Sequence, residues 1–103
     1  MTEELAIRYA PQRVEERGFE TYRMVFQDLN LEPKQEIQLA AYNEIWFLIE
    51  AESGISISSD FGEYDYNNPK LSENIHEHAD HIEVKNQSDQ VRKVKFIQVI
   101  LKD

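Results

Sequence analysis

The sequence has no cysteine among its 103 residues, and it has only three glycines and three prolines. The absence of cysteine excludes disulfides, thiolate metal sites and cysteine nucleophiles. A chain of this length forms one domain and buries roughly 60 to 70% of its unfolded surface, which is enough for folding without covalent cross-links. We therefore expect a single domain that is held together by its hydrophobic core.

Long hydrophobic runs are also absent. The longest, Ile45 to Ile49, is far too short to cross a bilayer. The first ten residues have neither the basic region nor the apolar segment of a signal peptide. We expect a soluble protein without membrane contact, located in the cytoplasm or associated with a particle.

Basic residues are few, with 11 against 20 acidic residues and a net charge of −9. Residues 44–83 contain ten acids and one base, Lys70, whereas residues 84–103 contain five bases and two acids. Phosphate backbones repel such a chain, so we do not expect nucleic-acid binding. The acidic middle is either a solvated surface or a face for a basic partner, which includes the basic end of another copy.

Most of the chain alternates apolar with polar residues, as β-strands do. Turn-forming residues separate the alternating segments. The pattern predicts an all-β fold, either a small antiparallel β-sandwich or a partly open, jelly-roll-like barrel. Two hairpins are predicted, one joining residues 44–50 to 55–58 and one joining Ile82 and Val84 to residues 91–101.

The β domain is predicted to cover residues 19–103. Residues 1–18 are predicted to be an N-terminal arm or edge segment, because Pro11 interrupts any helix and Leu5, Ile7 and Tyr9 alternate.

Residues 34–51 also fit a helix, which would make the fold α+β. Pro33 would begin the helix, and its apolar side would contain Ile37, Ala41, Ile45 and Leu48. We favour strands here because Asn43 interrupts the run and Ser53-Gly54 forms a turn after it.

Two segments, residues 45–49 and 96–101, are apolar on both faces. Trp46 and Phe47 project to opposite faces of a strand, so at least one needs cover beyond a single sheet. A second copy of the chain would supply that cover. We therefore predict an interface that contains Trp46, Phe96, Lys93 and Lys95, with the lysines facing an acidic patch.

All three histidines lie in the segment His76-Glu77-His78-Ala79-Asp80-His81-Ile82-Glu83. The spacing of His76, His78 and Glu83 resembles the first half of the cupin metal motif, which implies a divalent metal bound by these three residues. The glycines of that motif are absent, and no histidine follows His81 to complete it. The alternative is a polar loop or edge strand with solvated histidines.

A second acidic run, Asp60, Glu63, Asp65 and Asn67, offers oxygen ligands that suit calcium. The run lacks the glycine and the closing glutamate of an EF-hand loop, and we expect a polar surface loop instead. No nucleophile, base and orienting residue form a catalytic set, and no serine lies in an elbow motif.

These observations favour a non-enzymatic assembly or interaction module that forms homo-oligomers and needs no cofactor. By analogy of fold, such a module resembles structural subunits of viral or phage-like particles. Two alternatives stay open: a cupin-like metal-binding protein, and an acidic inhibitor or DNA mimic that blocks a basic surface.

Overall fold

The computed structural model describes residues 2–60, 62–65 and 77–102. Over these ranges one helix precedes six strands, which form one antiparallel sheet in the order β1-β6-β2-β5-β3-β4. The sheet does not close into a barrel, and the predicted all-β, sandwich-like fold is confirmed. The elements are α1 (Glu3–Glu16), β1 (Thr21–Leu31), β2 (Glu36–Ala51), β3 (Ile55–Ser59), β4 (Gly62–Asp65), β5 (Glu77–Asn86) and β6 (Arg92–Lys102).

Helix α1 occupies most of the segment that we predicted to be an arm or edge strand. Thr2 caps the helix, because its side-chain oxygen accepts a hydrogen bond from the backbone N–H of Leu5 at 3.1 Å. Pro11 lies inside the helix, so its presence did not exclude one. The buried residues Ala6, Ala10 and Val14 recur every four positions and are mostly small, which made the helical stripe difficult to recognise. No helix in the described ranges is long and apolar enough to cross a membrane.

Strand β2 covers the residues for which a helix was the alternative, so the α+β fold with a helix over residues 34–51 is wrong. Its first half pairs with β5 and most of its second half with β6. Asn43, with φ 59°, lies in an irregularity between Ala41 and Trp46. Side chains of the main core occupy odd positions before it and even positions from Trp46 to Leu48 after it. A second irregularity, between Leu48 and Glu50, returns the odd-numbered Ala51 to the same core. The two irregularities together keep one face of the sheet inward along the strand.

Two hydrophobic cores lie on opposite faces of the sheet. The main core is enclosed by the curled sheet itself, and the helix core lies between the sheet and α1. Strand β6 contributes to both, with Phe96 in the main core and Ile97 in the helix core. The two segments that are apolar on both faces lie in β2 and β6. One face of each is covered by the opposite part of the curled sheet, and the other face is covered by α1. Main-core residues are Leu31, Ala41, Trp46, Leu48, Ile55, Ile57, Ile82, Val84, Val94 and Phe96. Helix-core residues are Ala6, Ala10, Val14, Ile45, Phe47, Ile97, Val99 and Leu101.

The predicted strands are present, but both predicted hairpins are wrong. Strand β5 lies between β2 and β3, and β2 lies between β5 and β6. Each short connection therefore joins strands that are separated by a third one. Turn residues indicated where strands end, but they do not specify which strands pair.

The buried side chain of Asn86 holds the β1–β2 connection and the β5–β6 connection together. Its amide nitrogen donates to the carbonyl oxygens of Leu31, Glu32 and Gln90, at 3.1, 3.1 and 2.7 Å. Its carbonyl oxygen accepts from the backbone N–H of Ser88 at 2.9 Å. The side chain thus links the turn after β1 to the turn after β5.

Replacing Asn86 should destabilise the fold strongly. Asn86→Ala removes the donor from buried carbonyl oxygens and should cost about 2 to 4 kcal/mol of unfolding free energy. Asn86→Asp should cost more, because a carboxylate would face those same oxygens. Urea unfolding measures both changes, and Gln87→Ala is the matched control on the exposed neighbour. Equal stability of Asn86→Ala and Gln87→Ala would contradict this role.

Candidate interaction surface

The two edges of the sheet differ in length and charge. Strand β4 forms one edge with four residues, of which Glu63 and Asp65 are acidic. Strand β1 forms the other edge with eleven residues, and its only charged side chains are Arg23 and Asp28. In the described part of the chain, no strand pairs with the outer side of β1. Its outward N–H and C=O groups are therefore a template for a further strand.

An exposed aromatic residue marks the middle of this edge. Phe26 is 59% exposed, whereas Tyr22 and Met24, on the same face of β1, pack against the helix core. A recess of about 340 Å³ lies beside Phe26, with Glu3, Ile49 and Lys95 in its lining. Phe26 is exposed because α1 begins at Glu3 and does not extend over this part of the face.

A second exposed apolar residue lies on the side of α1 that faces β1. Glu3 and Pro11 line recesses that also contain β1 residues. Ile7, which is 46% exposed, is one helical turn from each of them and therefore shares their side of the helix. The apolar surface thus extends from Phe26 towards α1.

The two predicted interface lysines are exposed and lie near this surface. Lys95 faces Asp28 across the β1–β6 ladder and forms a 3.8 Å ion pair with Glu50. Lys93 faces Asn30, and its backbone N–H donates to the Glu52 side chain. The ion pair of Lys95 is solvent-exposed, and such pairs add at most about 1 kcal/mol.

Trp46 and Phe96, the other predicted interface residues, are enclosed in the main core. They are 6% and 1% exposed, and their rings meet edge to face with centroids 5.3 Å apart. The indole N–H of Trp46 donates to Glu44 at 2.9 Å. Because the chain's own layers cover both side chains, the reason for placing them at an interface no longer applies.

The structure separates the described members of the predicted metal site. His78 is 3% exposed and lies 2.8 Å from the Ser59 hydroxyl through Nδ1. Glu83 faces solvent and accepts from Gln38 at 3.1 Å. Because His78 points inward and Glu83 outward, the two do not converge on one ion. His76 lies outside the described residues, and metal binding by this segment stays a prediction.

His81, the third histidine, belongs to a different contact. Its Nε2 lies 2.7 Å from the Tyr42 hydroxyl, and the two exposed rings meet edge to face. No group of three or more metal-ligating side chains occurs in the ranges that the structure describes.

Four carboxylates lie around a shallow recess of about 250 Å³ on the outer face of β2, β5, β3 and β4. The residues are Glu36, Glu63, Asp65 and Glu83, and Lys85 is the one base in the lining. Of the other residues in the acidic run from Asp60 to Asn67, Asp60 lines a neighbouring recess, and Asn67 lies outside the described residues. This face carries part of the acidic charge that the sequence concentrates in its middle.

A buried ion pair fixes α1 against the sheet on the side away from β1. The Glu77 side chain is 6% exposed and accepts from Arg13 Nε at 2.8 Å, and Arg17 lies 3.7 Å from its other oxygen. Burial alone would lower the pKa of Arg13, but the hydrogen bond and charge of Glu77, with those of Glu16, raise it overall. The charged guanidinium of Arg13 therefore keeps its contact with Glu77 of β5, and this contact helps to hold α1 on the sheet.

The sequence alone did not indicate Phe26 or Glu77. Phe26 alternates with Tyr22 and Met24, so its exposure depends on where α1 begins. Glu77 lies between two histidines in the sequence, and its partners Arg13 and Arg17 are at least sixty residues away. Comparisons with protein-family models, with curated proteins and with solved structures found no match. The function must therefore be inferred from the surface itself.

The exposure of Phe26 predicts that it contributes little to stability. Phe26→Ala should change the unfolding free energy by less than about 1 kcal/mol, as surface substitutions do. Phe47→Ala, in the helix core, should cost about 3 to 5 kcal/mol because it leaves a cavity. Thermal and urea unfolding of both variants measure the difference. A loss at Phe26 comparable to that at Phe47 would show that Phe26 is part of the core.

Proposed function

We propose that this protein is a non-enzymatic assembly module that forms homo-oligomers by adding a strand at the outer edge of β1. The observation that carries the proposal is the combination of eleven residues of unpaired edge with an exposed Phe26 beside it. Main-chain hydrogen bonds along such an edge supply affinity, and side-chain contacts supply specificity.

The charge of β1 supports association at this edge rather than elsewhere. Two copies with a net charge of −9 each repel one another at long range. Within β1 the charges of Arg23 and Asp28 cancel, and physiological salt screens the remaining surface beyond about 8 Å. The β4 edge, by contrast, carries two carboxylates on four residues.

A structural role in a viral or phage-like particle is a narrower form of this proposal. A closed shell or tail needs contacts in addition to one edge pairing. The exposed Lys93 and Lys95 are the cations we propose for a second contact, with the acidic recess at Glu36 and Glu83 of another copy, although Lys95 would first have to leave its exposed ion pair with Glu50.

A second candidate function is the binding of a basic protein, as an inhibitor or DNA mimic would do. The four carboxylates around the recess on the outer face favour it. This candidate uses the face of β3, β4 and β5 instead of the β1 edge. It predicts binding that weakens steeply with salt, whereas strand addition between two copies of charge −9 should strengthen as salt screens their repulsion.

The assembly proposal predicts a concentration-dependent mass. Light scattering after size exclusion should show multiples of 12.2 kDa as concentration rises. Amide hydrogen exchange should show new protection on alternate residues of β1, because their N–H groups become bonded. A 12.2 kDa monomer at every concentration, with no new protection in β1, would exclude the proposal.

A matched pair of variants should locate the contact. Phe26→Lys should weaken association about tenfold or more, because a lysine at a strand edge opposes pairing and an apolar contact is lost. Val91→Lys, at a 50% exposed position in the β5–β6 connection, should leave association unchanged. Equal effects of the two variants would show a general charge effect and would contradict a contact at β1.

A further inference from the structure

We propose that the strand added to β1 is β1 of a second copy, antiparallel, with Val25 on the two-fold axis. This inference rests on the proposed function and specifies which surface of the second copy is used. The product is a closed dimer in which one sheet continues from copy to copy.

The alternative pairing, β1 with β4 of the next copy, is disfavoured by the properties of β4. Four residues offer few main-chain hydrogen bonds, and Glu63 and Asp65 are side chains of the kind that protect edges. A pair of copies joined by a β1–β4 contact would still have a free β4 edge at one end and a free β1 edge at the other. Further copies could bind at both ends, so the assembly would grow without limit. Pairing of β1 with itself uses the long edge of both copies and ends the assembly.

The two-fold axis restricts the possible registers. Outward N–H and C=O groups occur on every second residue of an edge strand. A two-fold axis perpendicular to the sheet therefore passes midway between one residue of β1 and the same residue of the second copy. Every other residue of β1 then faces the residue of the second copy that lies equally far on the other side of the axis. Only the position of the axis along β1 remains to be decided.

An axis at Val25 matches side chains by polarity. Met24 then faces Phe26 of the second copy, Arg23 faces Gln27, and Tyr22 faces Asp28. Because of the symmetry each of these contacts occurs twice. Between positions 22 and 28 apolar residues face apolar ones, and each polar pair combines a donor with an acceptor. Beyond this matched region, Thr21 faces Leu29.

Other axes lack this match. An axis at Phe26 would place Arg23 opposite Leu29 and Met24 opposite Asp28. An axis at Arg23 or Asp28 would bring like charges face to face, which destabilises a strand pair. Axes at positions 24 and 27 would each place a charged residue opposite an apolar one.

A chain of hydrogen bonds fixes Gln27 as an acceptor at this edge. A Glu44 side-chain oxygen accepts from Gln98 Nε2 at 2.7 Å, so Gln98 Oε1 is left to accept from Gln27 Nε2 at 2.9 Å. Gln27 Oε1 is then the oxygen left for a donor beyond the edge. In the Val25 register that donor is the guanidinium of Arg23, which is exposed and forms no ion pair in the described ranges.

Spin labels can measure the register because the chain has no cysteine of its own. Single cysteines at Thr21 and Asn30, both exposed on β1, would each report the distance to their own counterpart in the dimer. At about 3.4 Å per residue, an axis at Val25 predicts along-strand separations of about 27 Å for position 21 and 34 Å for position 30. An axis at Phe26 would reverse that order.

A double-mutant cycle tests the contact itself. Arg23→Ala should raise the dimer dissociation constant about tenfold, because two symmetric contacts are lost. The same substitution should have almost no effect when Gln27 is already alanine. Asn30→Ala, outside the matched region, is the control and should not change dimerisation. Additive effects of Arg23→Ala and Gln27→Ala would overturn the inference.

The outcomes separate this inference from the proposed function. A dimer with protected β1 amides and the reversed label order would retain the assembly function and overturn the Val25 axis. A mass that grows without limit would indicate β1–β4 pairing and would also overturn it. A monomer at every concentration would remove both.

Discussion

The architecture depends on strand β2 serving two sets of neighbours. Its first half belongs to the layer of β5, β3 and β4, and most of its second half belongs to the layer of β6 and β1. A strict two-residue period would turn the apolar side chains outward at the change of layer. Asn43 has a left-handed conformation, and so does Asp80, the β5 partner of Ala41 at the start of the irregularity. This irregularity absorbs the extra residues of β2 and keeps Trp46 in the main core.

The same two-layer arrangement encloses the core within a single chain and still leaves open the edge that we propose for assembly. Both faces of the central strands are covered, by the opposite layer and by α1, so no second copy is needed for the core. Among the features left open in the described part of the chain are a row of main-chain groups on β1 and the side chain of Phe26. Association at such an edge adds hydrogen bonds without rearranging the core, which suits an assembly of independently folded subunits.

The sequence predicted the fold class and most strand positions, because alternation of apolar residues is a local signal. It did not predict the strand order, since the turns around Asn30 and Asn86 are compatible with hairpins as well as with crossing connections. It also missed α1, whose buried stripe is made largely of Ala6 and Ala10. The sequence also did not show that Trp46 and Phe96 are enclosed, because their cover comes from chain segments that only the tertiary structure brings together.

Strand β6 follows the other strands in the chain but lies between β1 and β2 in space. On the ribosome, β1 therefore emerges long before its intramolecular neighbour does, and both of its edges are open during that interval. Neighbouring nascent chains on one messenger RNA would present the same unpaired strand at high local concentration. The rate of translation between β1 and β6 thus sets how long β1 is exposed to pairing between chains before its partner within the chain is available.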